Sequence, residues 1–343
     1  MLKNLVRFGY KNDHSFRKSL SICGLSLFSF HNYKKEVKSL KKQVQDLSDS
    51  FNFQLSSLKD ENTHLKKQIK FFYDNFDLAD MKKATGLLRD FQLGLLRYVK
   101  QFFKDFDFLN IKPFLCGGNL IGALRHKGYI PWDDDIDLFL MRDDYEKLIK
   151  YFSEHGILKQ VVIDPDTGTE KDLLKNFAHD MQACPNQYIL YERHDMVQII
   201  KGTDENDFYV VDIFPLDYMK EEASFEEYNK FKDLVLKEAK QYKVFAQRTK
   251  FVRDKALNNA FTSKVPTSKI YQAIDSMPAI IYANDFIDAS LVFPLIKLKY
   301  EDTEFYSANN SVAFCDTQYQ NWQKLPEDVG NSHHFEGRRP SKE

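Results

Sequence analysis

The chain has 343 residues, 49 Lys and Arg against 50 Asp and Glu, and a formal net charge of −1. With 43% hydrophobic and 15% aromatic residues it can bury a substantial core, which excludes wholesale disorder, and the even charge excludes a dedicated nucleic-acid binder. Thirteen Gly and ten Pro exclude a collagenous or low-complexity chain, while four cysteines without a CxxC pair exclude a zinc ribbon and indicate a reducing compartment.

Taken in chain order, the first segment is basic. Over residues 1–42 ten Lys and Arg face only Asp13 and Glu36, a balance of +8 that leaves −9 for the remainder. Val6–Tyr10 and the apolar stretch Leu20–Phe30 look like short strands. That stretch falls short of the roughly 20 residues a membrane span needs and sits too late for an export signal, so a cytoplasmic chain is expected. The basic leader suits peripheral contact with anionic lipid at the inner face of a membrane, or a solvated lead-in to a helix. From Val37 the spacing turns heptad: Val37, Val44, Phe51, Leu58, Leu65 and Phe72 recur every seven residues, with Leu40 and Leu47 at the companion position. Leu55 and Ile69 shift that seam by one. The pattern predicts a coiled-coil-like helix over 34–75, either self-associating through residues 37–72 or packed on its own domain.

A second helix is expected over Asp80–Phe106, with Ala84, Leu88, Phe91, Leu95, Val99, Phe102 and Phe106 on one face. Asn110 and Pro113 end it, and Phe114-Leu115-Cys116 forms a short buried strand before Gly117-Gly118. Further strands are expected at Tyr188–Tyr191, Met196–Ile200 and Phe208–Phe214, then one charged helix over Glu221–Lys250. Short helices and loops follow Ser263, and a poorly ordered tail follows Val329.

The chemistry concentrates between Phe114 and Tyr145. A strand running into Gly117-Gly118 and then a helix leaves backbone N–H groups free to hold phosphate oxygens, with Asn119 as the expected cap. Asp133, Asp134, Asp135 and Asp137 follow Trp132 and lead into the apolar run Leu138-Phe139-Leu140. In a strand Asp135 and Asp137 share a face, and Asp133 shares their parity, while Asp134 points the other way. Converging carboxylates of this kind suit Mg²⁺ or Mn²⁺. Asp212 lies inside a second apolar strand, where a charge needs a partner, and is the candidate third acid; Asp217, past Pro215, suggests a cap.

These residues carry a family resemblance. Gly117-Gly118-Asn119, Gly122, Arg125-His126, Gly128, Ile130-Pro131-Trp132-Asp133-Asp134-Asp135, Asp137, Arg142 and Asp144-Tyr145 resemble the first motif of the LicD/fukutin-related phosphotransferases. Asp212–Asp217 looks like their second motif and Trp322–Pro326 like their closing one, with an amide at Asn119 where the family has a hydroxyl. The resemblance implies an α+β, nucleotidyltransferase-like fold: a small mixed sheet with flanking helices, here preceded by the long helix. Charge, periodicity and this resemblance, which covers roughly residues 84–335, together suggest a partition into a leader at 1–33, the helix at 34–75, the phosphotransferase domain at 80–335 and a tail at 336–343.

The resemblance also implies transfer of a phospho-alcohol from a CDP-activated donor to a glycan hydroxyl. Asp135, Asp137 and Asp212 would hold the metal, and Gly117, Gly118 and Asn119 would cradle phosphate. Arg125 would clamp the phosphates, Trp132 would stack on cytosine or enclose a choline head, and Asp137 is the candidate base. Two rivals stand beside this: a true nucleotidyltransferase moving NMP, and a coiled-coil scaffold with an inactive catalytic domain.

Overall fold

The computed structural model describes residues 34–161, 166, 168, 170–204, 207–277 and 281–324, and the backbones of 6–10, 18–22 and 25–30. The chain divides into two compact units, 1–75 and 76–343. In the first, β1 (Val6–Tyr10), β2 (Lys18–Ile22) and β3 (Leu25–Phe30) pair antiparallel in sequence order. They precede α1 (Lys34–Asn75), 42 residues long. Its heptad residues Val37, Val44, Phe51, Leu58, Leu65 and Phe72 are all exposed. The side chains of the basic leader before Val37 and the tail beyond Lys324, including Leu325-Pro326, lie outside the described residues. Among the described residues no helix is long and apolar enough to cross a membrane.

The second unit is α+β. It opens with α2 (Gly86–Asp105), whose face of Phe91, Leu95, Val99 and Phe102 is buried as the periodicity predicts. The helix starts six residues later than expected, leaving Ala84 ahead of it. Then come β4 (Phe114–Leu115), α3 (Gly117–Arg125), β5 (Asp137–Met141), α4 (Arg142–Glu154), β6 (Leu158–Gln160), α5 (Glu170–Ala183), β7 (Ile189–Glu192), β8 (Val197–Asp204) and β9 (Asp207–Met219). The single charged helix expected over 221–250 is two, α6 (Phe225–Ala239) and α7 (Phe245–Leu257). Arg248 donates from Nε and Nη2 to the Tyr242 carbonyl at 3.2 and 3.1 Å, giving the backbone at the break a partner outside the helical ladder.

Beyond Ser263 the expected short helices and loops are present, and short strands that the sequence reading did not expect run among them. There are β10 (Thr262–Ser263), β11 (Lys269–Gln272), β12 (Ile287–Asp288), and the hairpin β13 (Ile296–Tyr300) with β14 (Thr303–Ser307), before α8 (Ser311–Asp316). The hairpin docks through β14 on β4 and extends the sheet in the order β13-β14-β4-β5-β9-β8-β7-β6.

Two strands organise this mixed sheet. β5 is apolar and buried at Leu138, Phe139 and Leu140, as a central strand covered on both faces must be, and it pairs parallel with β9. β9 runs 13 residues and changes neighbour along its length: β8 pairs with it up to Ile213, and β11 takes over from Leu216. That change explains a proline inside a central strand. The Asp212 N–H donates toward β5, to the Ile136 carbonyl at 3.2 Å, so position 215 turns its nitrogen to the opposite side. Pro215 sits there where β8 has ended and β11 has not begun, and no ladder bond is lost. The strand therefore continues to Asp217, which is not a cap. Asp217 is buried and receives Arg142 Nε at 2.8 Å and Nη2 at 3.2 Å. The same guanidinium reaches buried Asp275, with Nη1 to Oδ2 at 2.9 Å.

A second buried carboxylate, Glu301, joins α2 to the β13–β14 turn. It receives Arg89 through two bonds of 2.9 and 2.7 Å, Lys83, and the Tyr129 N–H at 3.3 Å. Burial works to raise its carboxyl, but the bonds from Arg89 and Lys83 prevail and hold it down at about 2. The depressed folded value means that Glu301 stabilises the fold above the ordinary glutamate range, and that this contribution is lost as pH falls from about 4.5 toward 2. Glu301→Gln is expected to flatten this part of the acid limb relative to the parent when urea midpoints are followed against pH. An unchanged limb overturns the assignment.

Candidate active site

The parallel register sets Asp137 directly beside Asp212, and the antiparallel register of β8 sets Gln198 beside Asp212 on its other side. Register partners on neighbouring strands are about 4.8 Å apart and share a face, so the three side chains form one row across β5, β9 and β8. Gln198 ties the row together: its Nε2 donates to Asp212 Oδ1 at 3.0 Å, and its Oε1 accepts from Arg193 Nη1 at 3.2 Å. Asp212 is thus the neighbour of Asp137 that its apolar strand context suggested.

Asp133, Asp134 and Asp135 precede the strand as a loop and do not alternate as strand residues would. Asp134 consequently does not point away: all three bring a carboxylate oxygen within 4.8 Å of one another. The loop is held from below. Buried Gln92 donates to the Asp133 carbonyl at 2.7 Å. Asn119, also buried, donates to the Asp135 carbonyl at 3.0 Å and the Tyr300 hydroxyl at 3.2 Å, and accepts from the Asp137 N–H. Asn119 is the third residue of α3, whose cap position is Cys116, so its carboxamide shapes the acidic loop and is not the expected helix cap.

The two glycines serve the same acids. Gly117 has φ +57, a left-handed conformation that disfavours any side chain, and a Cβ there would stand 3.3 Å from Asp137 Oδ2. A Cβ on Gly118 would stand 2.9 Å from Asp133 Oδ2. The Gly117 N–H is engaged by Gln318 Oε1 at 2.9 Å.

Asp134, Asp135, Asp137 and Asp212 line a cleft of about 560 Å³ with Gly117, Arg193, Gln198, Tyr282 and Tyr319. Arg193 is the one Lys or Arg among its described lining residues. Burial first, then the charges of Asp135, Asp212 and Asp133, push the Asp137 carboxyl well above the usual range. Burial, then Asp135 and Asp134, does the same to Asp133, whose Oδ2 is buried without a hydrogen-bond partner. Crowded carboxylates with an orphaned oxygen, all hard oxygen donors, form a set of the kind that fits Mg²⁺ or Mn²⁺.

Arg125 and Trp132 lie elsewhere. Arg125, at the far end of α3, donates to the Trp322 carbonyl at 2.6 Å and to His126 Nε2 at 2.8 Å. Its guanidinium lies 5.9 Å from the Trp132 ring centre, and neither residue is among those lining the cleft. Burial, then the Arg125 charge, lowers His126 to about 4, so it is neutral at pH 7. Gln92, Gln198, Gln318, Arg193 and Tyr319 were not singled out by sequence, since each becomes informative only through the strand or loop it faces.

A mixed sheet thus sets an aspartate pair on adjacent parallel strands beside a Gly-Gly helix start. Residues 110–229 match the family described as LicD/FKTN/FKRP, nucleotidyltransferase domain, and this chain carries a domain of the LicD family. It is 48% identical over 69 residues to the lipopolysaccharide cholinephosphotransferase LicD of Haemophilus influenzae, covering 20% of this chain and 25% of that protein. An uncharacterized protein of Rickettsia typhi is 30% identical over 113 residues, 31% of this chain and 32% of its own length. Another, from Rickettsia prowazekii, is 40% identical over 50 residues, 14% and 19% respectively. The chain thus spans less than a third of the length of each of these relatives.

Proposed function

We propose that this domain transfers a phospho-alcohol, of the phosphocholine, ribitol phosphate or glycerol phosphate type, from a CDP-activated donor to a hydroxyl of a cell-surface glycan. The observation that carries this reading is the Asp137–Asp212 row, with Asp133–Asp135 at its end, at the edge of one cleft. Family membership and the similarity to a cholinephosphotransferase support it. Asp135, Asp137 and Asp212 would hold Mg²⁺ or Mn²⁺, which when bound supplies charge neutralisation for the pyrophosphate and the departing CMP. The acceptor oxygen forms a bond to the phosphorus bearing the alcohol as the bridging P–O bond to CMP breaks. Asp137 takes the hydroxyl proton. Arg193, in place of Arg125, meets phosphate charge from the cleft wall.

Incubation with CDP-choline, CDP-glycerol or CDP-ribitol plus Mg²⁺ is expected to release CMP from one of them in the presence of glycan. The family's description favours a second reading, nucleotidyl transfer. Pyrophosphate release from CTP, with no CMP from any donor, replaces the first reading by the second. An intact row of acids weighs against an inactive scaffold.

Gln198 orients Asp212 without being a ligand itself, and groups in that position typically tune metal affinity 10- to 100-fold. Gln198→Ala is therefore expected to raise by about that factor the Mg²⁺ concentration giving half of the metal-induced rise in melting temperature. An unchanged Mg²⁺ titration removes the role.

A further inference from the structure

The apolar stripe of α1 changes its spacing once along the helix. From Val37 through Leu40 and Val44 to Leu47 the steps alternate between three and four residues. Two successive steps of four then carry the stripe from Leu47 through Phe51 to Leu55, and the alternation resumes at Leu58. An extra step of four is a stutter, which locally unwinds a left-handed supercoil and changes the heptad labels beyond it. After the stutter Leu55 and Ile69 occupy a positions, and Phe51, Leu58, Leu65 and Phe72 occupy d.

Relabelled in this way, the seam is continuous from Val37 to Phe72 with a single polar interruption. The a position between Leu55 and Ile69 is Asn62, which is exposed along with the apolar residues around it. A lone Asn at an a position costs stability but fixes register and oligomer state, because it pairs with the same residue of a parallel partner across the seam. The flanking charges favour the same arrangement. Lys59 and Lys66 fall at e positions and Glu61 at g. Between parallel copies Glu61 of one helix meets Lys66 of the other, whereas antiparallel copies set the e-position lysines against each other.

We propose that α1 pairs with α1 of a second copy of this chain as a parallel, in-register, two-stranded coiled coil keyed at Asn62. The seam extends over about five heptads, beyond the three to four that mark a coiled coil. Leu47 is 70% exposed and Phe51 64%, a degree of apolar exposure that a second identical seam would cover.

The full chain at about 10 μM is expected to be a dimer by sedimentation equilibrium, well within the range of a coiled coil of this length. Leu58→Glu with Leu65→Glu is expected to yield monomer with unchanged helicity, since both positions are solvent-facing in the single chain and Glu is a good helix former. Asn62→Cys, oxidised, is expected to form an inter-chain disulfide absent from the parent, because position 62 meets itself only in a parallel, in-register pair. Asn62→Val is expected to convert the uniform dimer into a mixture with higher oligomers. A monomeric parent, which would assign the seam to a partner of different sequence, overturns the proposal. So does a dimer that survives the double Glu variant, or one in which Asn62→Cys fails to cross-link.

Discussion

Asp137→Asn is expected to reduce CMP release by 100-fold or more, on the order seen when one charge-stabilising group is removed from a phosphoryl-transfer site. The same substitution is expected to leave the metal-free protein as stable as the parent or more so. Asp137 is raised by burial and by three neighbouring carboxylates, and an isosteric amide relieves that repulsion while keeping the shape. The opposite signs of the two effects separate a chemical role from a structural one. Melting curves without metal, run beside a CMP assay with saturating Mg²⁺, read both. Near-parental turnover would sink the assignment of Asp137, and a large loss of stability would recast it as a packing residue.

Arg142→Ala is expected to be the most destabilising single change in the second unit. Its guanidinium bonds Asp217 and Asp275, both buried, and also touches Glu146 at 3.3 Å on the next turn of α4. Removing it leaves two carboxylates inside the protein without their common cation, a situation that costs about 3–5 kcal/mol. Arg142→Lys is expected to recover only part of this, because an ammonium cannot present the fork that meets two carboxylates at once. Urea unfolding of both variants decides the matter. A loss below about 1 kcal/mol for the Ala variant, the range of exposed pairs, would mean that the surroundings relax enough to hydrate the acids.

Much of this was legible in the sequence because the governing signals are local. The apolar run around Asp137 and the apolar context of Asp212 placed two acids in buried strands, and the recurrence of Phe91, Leu95, Val99 and Phe102 placed α2. What was not legible depends on neighbours distant in the chain. Pro215 reads locally as the end of a strand, and only the exchange of β8 for β11 reveals that the strand continues to Asp217. Asn119 reads as a cap or phosphate ligand until the acidic loop folds over it and engages its amide. Arg125 follows the Gly-Gly turn in sequence yet sits at the opposite end of α3, turned toward Trp322. The hairpin after Ser263 was a different case, because its signal was present: Ile296, Leu298 and Tyr300 alternate with Lys297 and Lys299 in the period of a half-buried strand.

The exchange of charge along the β5–β9 ladder has a further consequence. Asp137 stands beside Asp212, and just past the end of β5 the first residue of α4, Arg142, meets Asp217 of β9. Like charges therefore stand at one end of the ladder and opposite charges just beyond the other, which makes it legible in one alignment only. A slide of one residue would turn Asp212 to the far side of the sheet. A slide of two would preserve the facing but bring Phe214 or Val210 beside Asp137 and part Arg142 from Asp217 in the interior. The spacing of the acids is thus insulated from the lengths of the segments that connect the two strands. Alignment of the two aspartates is enforced from within the ladder itself.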